Sequence, residues 1–304
     1  MARTSTPRAR KPASAQAFTR KLLAWWARAA RDLPWRRTRD PYRVLVSEFM
    51  LQQTQVNRVT EYYPRFLDRF PDLETLARAR PRAVREAWDG LGYYARASNL
   101  HALARVVSRD HDGKLPDVPE ELVKLPGVGP YTAGAVATFA YEKPVPAVDT
   151  NVARVIGRVF FGGEGRGKRF ATAKRKPAER RNVPLPSPLS PSSSDVWQLA
   201  SALVPKTGKR AWKFNQAIME LGALICVARK PKCGECPVQP NCKTGRRAQL
   251  GRETGDGRGR GRPPPASRLS PPASRYFPSV TANIAMSPNP PAIVAATICR
   301  FRSA

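Results

Sequence analysis

Two carboxyl groups stand apart by their neighbours. Glu48 lies in VSEFMLQQTQV, between Val46 and Phe49–Met50. Apolar surroundings disfavour the charged form, so its pKa should rise and leave a proton to give at neutral pH. Asp149 lies in PAVDTNVARV, just ahead of a helical run. Free N–H groups and the helix dipole there favour its ionised form, which suits an anion set against a developing cation. Carboxyls whose environments differ in this way divide the work of acid and stabiliser. That division breaks glycosidic bonds through an oxocarbenium-like state. Taken singly, each has a plainer reading: Glu48 on the polar side of its helix, Asp149 as a helix cap.

A second chemical cluster is CVARKPKCGECPVQPNC at 226–242, which holds four of the five cysteines, Cys226, Cys233, Cys236 and Cys242. Four thiolates spaced C-x6-C-x2-C-x5-C can hold zinc or a [4Fe–4S] cluster, and spacing does not decide between them. The first 20 residues have no apolar core of a secretory signal, so a reducing compartment is expected, where clustered cysteines bind metal more often than they pair. Arg229, Lys230 and Lys232 stand between the first two ligands, and Cys299 stands alone.

The elements that must position these groups read as helices. Apolar residues recur at helical spacing over 15–31, 41–53, 54–70, 73–79, 82–88, 95–108, 119–124, 130–140, 150–160, 196–204 and 211–227. No alternating run demands a sheet, so the fold class is all-α. LPGVGPYTAG at 125–134 joins two helices through a tight turn. Gly127 and Gly129 allow left-handed backbone and, with Val128, offer N–H groups at a helix start opened by Pro130. Such a turn seats phosphate without reading sequence.

Composition points the same way. The chain carries a formal +30 over 304 residues, which calls for a polyanionic partner, nucleic acid first. No run of about 18 apolar residues exists to span a membrane. Three Pro-, Gly-, Ser- and Arg-rich stretches, 1–13, 163–194 and 243–304, are expected to be disordered. The last two have net charges of +6 and +9, and residues 1–12 add +4. The folded region is then 14–242, interrupted by the basic insertion.

LPWRRTRDPYRVLVSEFMLQQTQV at 33–56, GLGYYARASNLHALA at 90–104, LPGVGPYTAGA at 125–135, VDTNVARV at 148–155 and FNQAIMELGALIC at 214–226 closely resemble, in order and spacing, the MutY-type adenine DNA glycosylases of the helix-hairpin-helix superfamily. The resemblance covers about 200 residues. It implies a six-helix barrel at about 43–141. It also implies a cluster domain of 14–42 plus 142–242, with a [4Fe–4S] cluster on the four cysteines. It implies a monomer that flips adenine out of A:8-oxoguanine or A:G mispairs in double-stranded DNA and removes it in base excision repair. Glu48 would protonate adenine N7. Asp149, supported by Asn151, would stabilise or capture the sugar cation. Tyr131 stands where bifunctional lyases carry a nucleophilic lysine, so the chain would be monofunctional. Arg31, Leu33, Trp35, Gln216 and Met219 would line the base pocket, and Gln53 and Tyr93 would enter the base stack.

The resemblance also implies a second, Nudix-related domain that recognises 8-oxoguanine. The 62 residues after Cys242 do not read as one, so weaker or less selective activity is expected. The other readings are an endonuclease III-like or mismatch thymine glycosylase, or a catalytically weak DNA-binding remnant of a truncated gene. A cytoplasmic, nucleoid-associated protein is expected if the source is bacterial, and a nuclear or mitochondrial one if it is eukaryotic.

Overall fold

Proline and acidic caps decide where the helices begin. The computed structural model describes residues 13–163 and 193–246. The expected basic arm and most of the expected insertion and tail, with Cys299, lie outside the described residues. In chain order the helices are α1 (Ala13–Ala29), α2 (Pro41–Leu51), α3 (Val56–Arg69), α4 (Leu73–Arg78), α5 (Pro81–Ala87), α6 (Ala95–Asp110), α7 (Pro119–Leu122), α8 (Pro130–Phe139), α9 (Thr150–Ile156), α10 (Ser193–Leu203) and α11 (Gly208–Leu224). Pro41, Pro81, Pro119 and Pro130 each stand at a first helical position, where a missing N–H costs nothing. Asp40, Asp72 and Asp149 accept from the N–H groups of Arg43, Thr75 and Val152 as N-caps of α2, α4 and α9. No strand occurs among the described residues.

Two hydrophobic cores result. The first spans α2 to α8 and includes Phe49, Met50, Phe66, Trp88, Leu100 and Leu122, all almost fully buried. Phe66 meets Trp88 edge-on at 5.6 Å. The second gathers α1, α9, α10 and α11 around Phe18, Leu22, Ile156, Leu203 and Leu221. Phe18 meets Phe160 and Phe214 edge-on there. The change of core falls between Ala147 and Val148. Leu33 and Trp35, on the turn after α1, and Trp212 of α11 cross into the first core.

Three details depart from the sequence pattern. The helical run read over 150–160 becomes α9 followed by a π turn at Gly157–Phe161, ended by left-handed Gly162. The wider turn serves the cysteine loop, as described below. α10 starts at Ser193, three residues before the first periodic apolar residue, Val196, inside the stretch expected to be disordered. A further helical turn occupies 243–246, past the expected boundary at Cys242.

Gly134 shows how closely α8 is seated. A Cβ there would collide with the backbone carbonyl of Pro146, which cannot swing away. Glycine to alanine inside a helix ordinarily stabilises by about 1 kcal/mol. Gly134→Ala should instead destabilise by about 1–3 kcal/mol, read as a lowered urea midpoint. A raised midpoint would refute this packing.

Candidate active site and iron-sulfur site

The cleft between the two cores has a volume of ≈ 790 Å³ and gathers residues far apart in sequence. α2 brings Glu48, α8 Tyr131, the cap of α9 Asp149 and Asn151, α11 Gln216 and Met219, and the segment after α1 Arg31, Leu33 and Trp35. Glu48 is 5% exposed, so it is not on a solvated helix face. Its Oε2 accepts from the Tyr131 hydroxyl at 2.7 Å. Burial pushes its pKa up to about 7; the Tyr131 bond and the Arg36 charge pull down, and Asp149 adds to the rise. Since Tyr131 occupies Oε2, a proton on Glu48 sits on Oε1. The Tyr131 hydroxyl is itself driven far above its ordinary range by burial and stays a donor.

Asp149 is half-buried at the start of α9. Its Oδ1 accepts from the Val152 N–H at 2.7 Å and its Oδ2 from Asn151 Nδ2 at 2.8 Å. The expectation that the helix start would favour its charged form needs correction. Burial raises its pKa, outweighing the Val152 and Asn151 bonds and the Arg154 charge, which all lower it. Its charge must therefore be held by what enters the cleft as well as by its own helix.

Reasoning from sequence missed the cleft's strongest ionic group. Glu220 is 1% exposed and takes Arg31 Nε and Nη2 at 2.8 Å each, and Arg36 Nη2 at 2.9 Å. Burial alone would raise its pKa, but the bonds from Arg31 and Arg36 lower it to about 2. Arg31 is thus a partner of Glu220 as well as a wall. Arg36 also donates to Gln216 Oε1 at 2.7 Å, so the amide's acceptor is engaged and its NH₂ remains to meet a ligand. The RDLPWRR and MELG strings contain these residues, but their pairing spans about 190 positions.

Trp35 packs edge-on against Tyr63 at 5.6 Å while lining the cleft, and Met219 packs against both cores. Gln53 is exposed at the rim. Tyr93 is 63% exposed and does not line the cleft. In the hairpin, Gly127 is left-handed (φ 74), and a Cβ there would stand 2.6 Å from Asn99 Cβ. Gly129 is extended rather than left-handed. Val128 differs from its expected part: its side chain is buried and its N–H donates to Leu125 O at 3.1 Å. It anchors the hairpin, and the unbonded N–H groups are those of Gly127 and Gly129.

The four predicted cysteines line one cavity walled by Val155, Val159, Leu221, Ile225 and Val238. Burial, reinforced by the neighbouring thiols, pushes Cys236 up to about 11 and also raises Cys242. Iron would supply the positive charge that holds them as thiolates. Arg158, on the π turn, braces the loop from beneath, donating to Val227 O at 2.8 Å, Ala228 O at 3.0 Å and Cys226 Sγ at 3.4 Å. Arg154 links the two sites, reaching Asn151 Oδ1 at 2.6 Å and Cys226 O at 2.8 Å.

Residues 46–179 match the HhH-GPD superfamily of base excision DNA repair proteins. A thermostable thymine-DNA glycosylase of known structure is 31% identical, with a TM-score of 0.65 over 77% of this chain and 97% of that one. The chain belongs to the HhH-GPD superfamily. An endonuclease III–DNA covalent intermediate shares the HhH-GPD fold at 22% identity and a TM-score of 0.60, over 77% of this chain and 96% of that one. Residues 226–242 match the iron-sulfur binding domain of endonuclease III, and with the cavity described above this assigns a [4Fe–4S] cluster. Curated relatives include an adenine DNA glycosylase of Mycobacterium tuberculosis, 45% identical over 71% of this chain and 64% of its own length. The adenine DNA glycosylase of Rattus norvegicus is 40% identical over 79% of this chain and 44% of its own. The chain thus spans less than two thirds of the curated relatives it matches.

The buried Glu48 gives a stability test. Its native pKa of about 7 lies above the ordinary 4.5. Below 4.5 it is neutral in both states and costs nothing; between 4.5 and 7 only the unfolded chain gives up the proton, so stability falls as pH rises. Glu48→Gln, which cannot ionise, should therefore gain on the native chain across that window. The gain should reach on the order of 3 kcal/mol above pH 7. A gap between their urea midpoints that is the same at pH 4.5 and pH 8 would contradict the assignment.

Proposed function

We propose that the chain is a monofunctional DNA glycosylase that extrudes adenine mispaired with 8-oxoguanine or guanine and hydrolyses its N-glycosidic bond. The observation that carries the reading is Glu48: buried, its pKa pushed up by that burial to about 7, and fixed by Tyr131 at 2.7 Å in the same cleft as Asp149. The adenine DNA glycosylases among its relatives supply the base. Glu48 Oε1 gives its proton to adenine N7, which makes the base a neutral leaving group. Asp149, turned toward the cleft by the Val152 N–H and Asn151, faces the sugar as positive charge develops. Tyr131 cannot form the Schiff base that a lyase needs, and its hydroxyl is already committed to Glu48. Double-stranded DNA is held by phosphate contacts at the Gly127 and Gly129 N–H groups and at exposed Arg229, Lys230 and Lys232 beside the cluster.

A second reading, removal of mispaired thymine, has one observation behind it: the thymine-DNA glycosylase likeness extends over 97% of that chain. One assay separates the two. Duplexes with A opposite 8-oxoguanine, A opposite G, T opposite G, or thymine glycol are incubated with the full chain and then heated in alkali. Cleavage at adenine, lost in Glu48→Gln and absent without alkali, is the expected result. Cleavage only at thymine or thymine glycol would overturn the adenine reading.

The acid role also fixes a pH profile. Single-turnover release should be flat below about pH 7 and fall about tenfold per unit above it as Glu48 ionises. A rate that rises through pH 7 would mean that Glu48 acts as a base.

A further inference from the structure

Two residues hold backbone that side-chain-bearing residues rarely adopt: Gln53 (φ 57), at the rim of the cleft, and Tyr93 (φ 49). Such conformations cost on the order of 1 kcal/mol each and persist only where the surroundings over-determine them. Both side chains are exposed. One buried side chain stands behind both. Arg96, the second residue of α6, is 7% exposed. Its Nη1 donates to the carbonyls of Phe49 (3.0 Å), Met50 (2.7 Å) and Gln52 (2.6 Å). Its Nη2 donates to those of Leu91 and Gly92, both at 3.0 Å. The first group ends α2 and directly precedes Gln53; the second directly precedes Tyr93. The guanidinium also lies 5.4 Å from the Trp88 ring centre and 5.6 Å from that of Tyr93.

No carboxylate among the described residues pairs with Arg96. A buried cation without an anion is costly. Charge-assisted bonds to orphan carbonyls at a helix C-terminus, where the dipole favours a cation, offset that cost, and so do two aromatic faces. The result is two loops tied to one planar group. Lysine could not do the same, because one compact ammonium cannot span both carbonyl sets in a fixed fork.

We propose that Arg96 is a positioning residue that locks Gln53 and Tyr93 into one rigid, two-pronged wedge, and that it acts on base extrusion rather than on bond cleavage. This rests on the glycosylase reading above. An extruded base leaves a gap in the stack that inserted side chains must fill, and a wedge whose prongs yield cannot hold it open.

The test uses the full chain and a duplex carrying 2-aminopurine opposite 8-oxoguanine, whose fluorescence rises on unstacking, beside single-turnover release from A:8-oxoguanine. Arg96→Lys should lower extrusion and release together by roughly tenfold. Its helical signal, cluster absorbance and the pH at which the rate falls should stay as in the native chain, while its melting temperature drops as the freed carbonyls lose their donors. In a Gln53→Ala/Tyr93→Ala background, adding Arg96→Lys should change either readout by no more than about twofold. Native-like extrusion in Arg96→Lys would overturn the proposal, as would an undiminished loss in the wedge-free background. Loss of helical signal in both Arg96→Lys and Arg96→Gln would assign the arginine to folding and overturn it too. Failure of the native chain to extrude or release adenine would instead sink the glycosylase reading, and is told apart because no substitution is involved.

Discussion

Glu48 is carried by α2 of one hydrophobic core and Asp149 caps a helix of the other, so the cleft depends on how the cores are joined. Asn215 of α11 makes that joint. It is 2% exposed, and its Oδ1 accepts from the Ala147 N–H at 3.0 Å. Its Nδ2 donates to Thr138 Oγ1, Val145 O and Ala211 O at 3.0–3.2 Å. One amide thus satisfies α8, the connecting strand of chain and α11 at once, with both ends of its dipole used. Each bond is worth only about 1 kcal/mol net, but each group left unbonded at this depth would cost about 1–3 kcal/mol. Any other register of residues 145–147 would strand several of them. The approach of Asp149 to Glu48 is therefore set by backbone accounting rather than by attraction between the carboxyls, which repel.

The cleft then holds two buried glutamates with opposite fates. Burial raises both; the difference is partners. Glu220 has two guanidinium groups in fork geometry and falls to about 2, so it stays ionised across the range in which Glu48 titrates. Glu48 has a single neutral phenol and sits at about 7. Arg36 could have quenched Glu48 as well, but its donors are taken by Glu220, Gln216 and Arg31 O. The ion cluster of Arg31, Arg36 and Glu220 thus has a second effect: it keeps positive charge committed elsewhere, so that burial still holds the Glu48 pKa up at about 7.

Much of this was legible in the sequence, for physical reasons that differ by element. Helices such as α3, α6 and α8 announce themselves through local periodicity, and prolines fix their starts. The four cysteines, Glu48 and Asp149 sit in short strings that carry their own chemistry. What stayed hidden depends on contacts distant in sequence or on net effects. Arg36 and Glu220 are ordinary surface-type residues until 184 positions of chain bring them together. The upward shift of Asp149 is a contest between burial and its cap, and a string of letters shows the cap alone. The π turn at Gly157–Phe161 has the same periodicity as a helix end, and only its partners on the cysteine loop explain it.

Those partners show why a metal cluster remote from the chemistry bears on it. The loop at 226–242 has little regular structure of its own beyond two short 3₁₀ turns, so its shape comes from its ligated sulfurs and from Arg154 and Arg158. Arg154 uses the Cys226 carbonyl as one anchor and the Gly222 carbonyl as another, at 2.8 and 2.9 Å. Its remaining reach goes to Asn151, which in turn holds Asp149 Oδ2. Each guanidinium bond constrains the next group only because the one behind it is fixed. A slack Cys226 would leave Arg154 anchored by the Gly222 carbonyl alone, and so loosen its hold on Asn151 and the donor to Asp149 Oδ2. A cluster held by Cys226 would thus support Asp149 mechanically, by way of the Cys226 carbonyl, Arg154 and Asn151.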